Sequence, residues 1–298
     1  MQKNKVVSSL TEMEPTKPFI GTESAYEFRK NSTHIIGFCF DGTTSFRPGA
    51  RFGPDAIRDA SFGLECYSPY LDRNIEDYSI IDSGNLPIYP SKWKLTNDYF
   101  HGVTKNLKLK DDHIKILTLG GEHSISYGPI RLCLEQYEDL VLIHLDAHTD
   151  LRDGYLEEKF SHASIIRRCW DHMNENNKLI QYGIRSGTKE EFDFMKEHNT
   201  LAKSLDDFLT RVKEIDVKRP IYLTLDLDFF DPAFLPGTGT PEAGGENFHS
   251  FISLIKILKG KNFVGADVVE LAPMIDPTGN SQAFASKVVR EVLLALQK

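Results

Sequence analysis

Six short runs of the chain are almost continuously apolar: residues 34–40, 114–120, 140–147, 179–184, 221–227 and 263–269. A strand with one wet face alternates apolar and polar side chains. A strand covered on both faces reads as an unbroken apolar run. Between these runs lie helix-length stretches of mixed character, at 127–137, 161–173, 204–214 and 248–259. Residues 281–297 read as an amphipathic closing helix. Buried strands alternating with helices predict right-handed crossovers, and so a parallel sheet with helices on both faces. No Gly/Ser-rich linker divides the chain, and no repeat of solenoid period is present. The expectation is one α/β domain over residues 33–298, preceded by an N-terminal extension over 1–32.

Composition narrows function by exclusion. The net charge is −8 and no basic cluster stands out, which argues against nucleic acid as a partner and mildly favours a cationic substrate. None of the cysteines Cys39, Cys66, Cys133 and Cys169 forms a C-x-x-C pair, so reduced thiols in a cytoplasmic protein are expected. No segment approaches the ~20 apolar residues of a spanning helix. The first twenty residues lack the apolar centre of a signal peptide, so no membrane partner is expected.

The chemistry is concentrated just past the strand ends. Asp146, His148 and Asp150 sit at i, i+2 and i+4 where the 140–147 run finishes. Period-two spacing on an extended backbone points all three to one side. Asp226 and Asp228 repeat the spacing after 221–227, His123 follows 114–120, and Glu270 follows 263–269. In open parallel sheets, ligands bind beyond the carboxyl ends of the strands. A lone D-x-H is ordinarily a capped loop. A carboxylate ending an apolar strand is costly without a partner, however, and four gathered together repel. Two divalent cations would cancel four negative charges. Oxygen-rich donors with two imidazoles and no thiolate suit Mn²⁺ better than structural Zn²⁺. The expectation is a two-metal hydrolytic centre, with His144 a satisfied core histidine rather than a ligand.

Three segments, Gly120-Gly121-Glu122-His123-Ser124, Asp146-Ala147-His148-Thr149-Asp150 and Asp226-Leu227-Asp228-Phe229-Phe230-Asp231-Pro232, resemble the metal signatures of the ureohydrolases, the arginase–agmatinase family. Residues 40–54 and 237–245 resemble its agmatinase branch, and the likeness runs from about residue 33 to the C-terminus. The resemblance implies a three-layer α/β/α fold with an eight-stranded parallel sheet. It implies two Mn²⁺ per subunit, a homo-oligomer (trimer or hexamer), and hydrolysis of a small cationic guanidino substrate to urea and an amine.

Carried over by position, His123, Asp146, Asp150 and Asp226 would hold one ion, and Asp146, His148, Asp226 and Asp228 the other, with Asp146 and Asp226 bridging. Asp150 would also take up a proton, His162 would shuttle protons, and Glu270 would bind the guanidinium. Many family members have His-Gly where this chain has His162-Ala163. The loop 151–161 lacks the arginase contacts to an α-carboxylate, and its Asp153, Glu157 and Glu158 would receive a second positive charge, which favours agmatine. Arg152 or Lys159 could instead meet a carboxylate, so 4-guanidinobutyrate and formiminoglutamate stay open, as does a non-catalytic regulator on this fold. Metal-dependent deacetylases share the fold but not these signatures. Glu122 reads either as support for His123 or as a turn residue, and Arg47 and Arg51 as substrate contacts or, in preference, as subunit or loop contacts.

Overall fold

The computed structural model describes residues 5–10, 12–90 and 92–298. Among them, eight strands form one parallel sheet: β1 (Glu23–Ser24), β2 (Ser32–Phe38), β3 (Ile80–Asn85), β4 (Ile114–Gly120), β5 (Val141–Leu145), β6 (Lys178–Tyr182), β7 (Pro220–Asp226) and β8 (Asn262–Val269). The spatial order is β6-β5-β7-β8-β4-β2-β3-β1. All six apolar runs are strands, and β2, β5 and β7 are buried at every position, as unbroken apolarity predicts.

Helices cover both faces. One core holds Ile57 of α1 (Gly53–Ser61), Phe208 and Val212 of α7 (Leu205–Glu214), Phe251 of α8 (Phe248–Leu258) and Val289 of α9 (Asn280–Leu296). The other holds Phe100 of α2 (Trp93–Thr104), Leu109 of α3 (Leu109–Asp112), Ile130 of α4 (Tyr127–Gln136), Ile165 of α5 (Ile165–Trp170) and Met195 of α6 (Lys189–Glu197). Alternate strand residues divide between them: Leu223 and Leu225 face the first core, Tyr222 the second. This is the expected α/β/α arrangement.

Two strands have no apolar signature. β1 is only two residues long, at the sheet edge. β3 buries Asp82, Ser83 and Asn85, because the fully buried Arg58 donates from Nε and Nη2 to the two carboxylate oxygens of Asp82, both at 2.9 Å. Residues before β2 pack onto the domain: Val6–Ser9 pairs antiparallel with Glu27–Arg29, and Phe19 and Phe28 are buried. α9 departs from the amphipathic expectation. Its second half is buried all round, including Arg290 and Glu291, which neutralise each other through bonds of 3.0 and 2.6 Å. The stretch 161–173 splits into a 3-10 turn, His162–Ser164, and α5. No helix among the described residues is long and apolar enough to cross a membrane.

Candidate metal centre

The central strands β5, β7, β8 and β4 are neighbours, and their carboxyl ends bring the expected ligands together. His123 enters from a 3-10 turn after β4. Gly121 makes that turn possible, since a Cβ there would lie 1.9 Å from the Phe40 carbonyl oxygen. His123 Nδ1 lies 3.0 Å from Asp146 Oδ2, 2.9 Å from Asp150 Oδ2 and 3.5 Å from Asp226 Oδ2. His148 Nδ1 lies 3.0 Å from Asp228 Oδ2 and 3.5 Å from Asp146 Oδ1. Asp146 thus faces both imidazoles. Asp150 and Glu270 hold left-handed backbone conformations, φ +52° and +68°, unusual for residues with a Cβ.

The hydrogen bonds around the cluster decide which way each ring points. His123 Nε2 faces Thr224 Oγ1 at 2.9 Å, and Thr224 donates its own proton to Asp267 Oδ1 at 2.7 Å. Thr224 must therefore accept from His123, so Nε2 carries the hydrogen and Nδ1 presents its lone pair to the carboxylates. Nδ1 is buried and has no hydrogen-bond partner. Gln181 Nε2 can only donate, and it lies 3.1 Å from His144 Nδ1. His144 Nε2 therefore carries a hydrogen and donates to Asp146 Oδ2 at 2.8 Å. His144 thus bonds to Asp146 through one ring nitrogen and accepts from Gln181 through the other, which satisfies both.

Charge calls for cations at the same place. Burial, with the charges of Asp228 and Asp146, pushes the Asp226 carboxyl well up, and burial with Asp146 raises Asp150. Burial opposes a charged imidazole at His148, but Asp228 and Asp146 outweigh it and push its pKa up to about 12. Imidazole nitrogens and carboxylate oxygens gathered this closely form a donor set that divalent cations would take by displacing the imidazole protons. Two geometric groupings emerge, His123, His144, Asp146 and Asp150 in one and Asp146, His148 and Asp228 in the other.

A cavity of about 220 Å³ opens over this cluster, lined by His123, His148, Asp150, Asp226 and Glu270 and also by His162, Ser45, Arg152, Tyr155 and Glu191. A larger hollow, about 1080 Å³, lies at the amino ends of the strands among residues such as Ile114 and Pro220 and contains none of the ligands. Glu270 is buried, its Oε1 accepts from His123 N–H at 2.8 Å, and burial with Glu122 pushes its carboxyl well up. His162 is pushed down to about 4, first by burial and then by His148.

Three of the expected residues lie elsewhere. Asp153 turns outward and pairs at 2.6 Å with the buried Arg168, which also meets Asp171 at 3.3 Å. Glu157 sits at φ +66° on the exposed tip of a tight turn and does not line the cavity. Glu158 lines an adjacent hollow with Trp93 and Tyr155. None of these three acids lines the cavity; Arg152, its guanidinium 4.7 Å from the centre of the Tyr155 ring, does. Glu122 does not touch the His123 side chain; it accepts from Thr43, Thr44 and Ser124. Thr224 and Asp267 were missed, although a polar residue inside a buried apolar run is a legible signal. Gln181, Thr43 and Ser45 carried none.

Residues 31–295 match the Arginase family. The chain is 41% identical over 287 residues to an agmatinase of Bacillus cereus, covering 95% of this chain and 97% of that protein. Among solved structures it superposes on the proclavaminate amidino hydrolase of Streptomyces clavuligerus with a TM-score of 0.84, at 27% identity, covering 96% of this chain and 98% of the other. It also superposes on the agmatine ureohydrolase of Thermoplasma volcanium, with a TM-score of 0.80, 26% identity and 96% of each chain covered.

Proposed function

The chain belongs to the arginase family, and on that premise we propose that it hydrolyses agmatine to putrescine and urea. The observation that carries the substrate is the 41% identity to the Bacillus cereus agmatinase across 95% of the chain. The acidic loop residues no longer support it, since they lie outside the cavity.

His123, Asp146, Asp150 and Asp226 would hold one Mn²⁺, and Asp146, His148, Asp226 and Asp228 a second, with Asp146 and Asp226 shared. When bound, the ions acidify a water and offset the charge of the carboxylates. Glu270, on the cavity wall, grips the planar guanidinium through paired hydrogen bonds, and the cation supplies the counter-charge that its buried carboxyl lacks. Asp150 accepts a hydrogen bond and then a proton from the attacking water. His162, uncharged at neutral pH, takes up a proton released from the attacking water and passes it to the departing nitrogen as the guanidinium C–N bond breaks. Both protons of the water end on that nitrogen, so the products are urea and the amine in its ammonium form.

The large apolar side chains of Phe46, Phe52 and Met274 are exposed on adjoining loops, with Gly49 closely facing Ala272. They support a homo-oligomer; its size, a trimer or hexamer, is carried over from the family resemblance, and a cytoplasmic setting from the unpaired cysteines. Urea release from agmatine, arginine and 4-guanidinobutyrate, measured after chelation and after Mn²⁺ return, tests the reading. Agmatine turnover that vanishes on chelation and returns with Mn²⁺ is expected. Full activity in a verified metal-free sample, or kcat/KM for arginine equal to that for agmatine, would refute it.

A further inference from the structure

Glu122 is fully buried, lies in the turn that delivers His123, and does none of the work described so far. Its carboxylate is nonetheless saturated. Oε1 accepts the hydroxyls of Thr43 and Ser124, and Oε2 accepts Thr43 N–H at 2.9 Å and the Thr44 hydroxyl at 3.1 Å. Four donors for one carboxylate fill its lone-pair sites.

Thr43 connects this carboxylate to the cavity. Its hydroxyl has a single proton, and Glu122 takes it. Toward every other group Thr43 Oγ1 can only accept. Two groups of His162 face it: the backbone N–H at 3.1 Å and Nδ1 at 3.4 Å. For Nδ1 to face an oxygen that only accepts, Nδ1 must carry the hydrogen. Nε2 is then left with its lone pair, 3.3 Å from Ser45 Oγ, and both Ser45 and His162 line the cavity. The Tyr155 ring meets the imidazole edge to face, 5.8 Å between centres, and limits its rotation.

We propose that Glu122, acting through the Thr43 hydroxyl, is the positioning carboxylate that sets the tautomer and orientation of His162, so that the unprotonated Nε2 faces the substrate. This rests on the reading of His162 as the proton carrier. Neither Glu122 nor Thr43 lines the cavity. Their effect is on the fraction of His162 rings that present a base to the cavity.

The isosteric variant Glu122→Gln makes a sharp test. An amide fits without a clash only with its oxygen toward Thr43 N–H and Thr44, and its NH₂ toward Thr43 Oγ1 and Ser124. That arrangement frees the Thr43 proton to point at His162 Nδ1, which inverts the tautomer. Imidazole ¹⁵N shifts of the manganese-free protein should therefore show Nδ1–H at His162 in the wild type and Nε2–H in Glu122→Gln. In the Mn²⁺-loaded enzyme, Thr43→Val should lower kcat by ~10–100-fold, a part of the ~10²–10⁴ carried by a general acid–base residue, with KM and metal content little changed. Thr43→Ser keeps the hydroxyl and should restore turnover. In a His162→Ala background, Thr43→Val should add nothing. An equal loss from Thr43→Val with and without His162, or an unchanged tautomer in Glu122→Gln, overturns the proposal. So does full turnover of Thr43→Val beside a crippled His162→Ala, which refutes the link alone. Full turnover of His162→Ala refutes the underlying reading of His162.

Discussion

Replacing His144 by Phe removes one donor from the ligand shared by both halves of the cluster. The His144 Nε2–H bond to Asp146 Oδ2 is 2.8 Å long, fully buried, and ends on a carboxylate. Hydrogen bonds to charged groups contribute about 1.5–3 kcal/mol. Removing an outer partner of a metal ligand costs ~10–100-fold in metal affinity, which is about 1.4–2.8 kcal/mol. The two routes agree, so His144→Phe should weaken Mn²⁺ binding by ~10–100-fold while both ions still bind at saturation. A ring of similar size leaves the packing nearly filled, and Gln181 keeps its 3.2 Å bond to the Thr149 carbonyl oxygen. Calorimetric titration with Mn²⁺ reads the affinity, and elemental analysis at saturation reads the count. Gln181→Leu keeps the donor but lets the ring change tautomer, so a smaller loss in the same direction is expected. Wild-type affinity in a folded His144→Phe protein would show that the bond does nothing for the metals. Loss of one whole equivalent of metal would show that His144 is itself a ligand, an arrangement its nearness to His123, Asp146 and Asp150 would permit geometrically. Either result refutes the reasoning.

Asp146→Ala and Asp226→Ala should empty both metal positions whereas Asp228→Ala should keep one, because the family resemblance makes the first two the shared ligands and Asp146 belongs to both groupings in the structure; elemental analysis decides, and an Asp228→Ala protein free of metal would contradict the sharing. Gly121→Ala should cost about 2–4 kcal/mol of stability, since its Cβ would strike two backbone oxygens, at 1.9 Å for Phe40 and 2.8 Å for Phe38; a wild-type denaturation midpoint would refute it. Lys115, at the opposite end of the sheet, is pushed down to about 7 by burial and by Lys298 and Arg73. Its folded pKa lies below its unfolded value of 10.5, so between those limits the unfolded chain binds more protons and stability rises with pH. Lys115→Met should flatten that rise in urea midpoints taken from pH 7 upward.

The apolar runs were enough to place six of the eight strands and the parallel class, because burial on both faces leaves a local mark at every residue. The candidate metal ligands were legible for a related reason. Period-two acids at the ends of apolar strands have no cheap structural explanation, and each strand end carries its ligand into a common edge whatever the helices do. β3 was illegible because its acceptability in the core depends on Arg58, which comes from a helix earlier in the chain. The burial of α9 on all sides likewise depends on Arg290 and Glu291 finding each other and Ser68. The far end of the cavity was misjudged for the opposite reason. Asp153, Glu157 and Glu158 have the right charge at the right place in the chain, but the turn they share directs them to Arg168, to solvent and to a neighbouring hollow. Composition and spacing determine which groups reach the edge of the sheet, since strand direction is set locally. Only the tertiary structure decides which proton sits on which nitrogen of His123, His144 and His162, because each tautomer is imposed by a donor or acceptor from a different strand or loop.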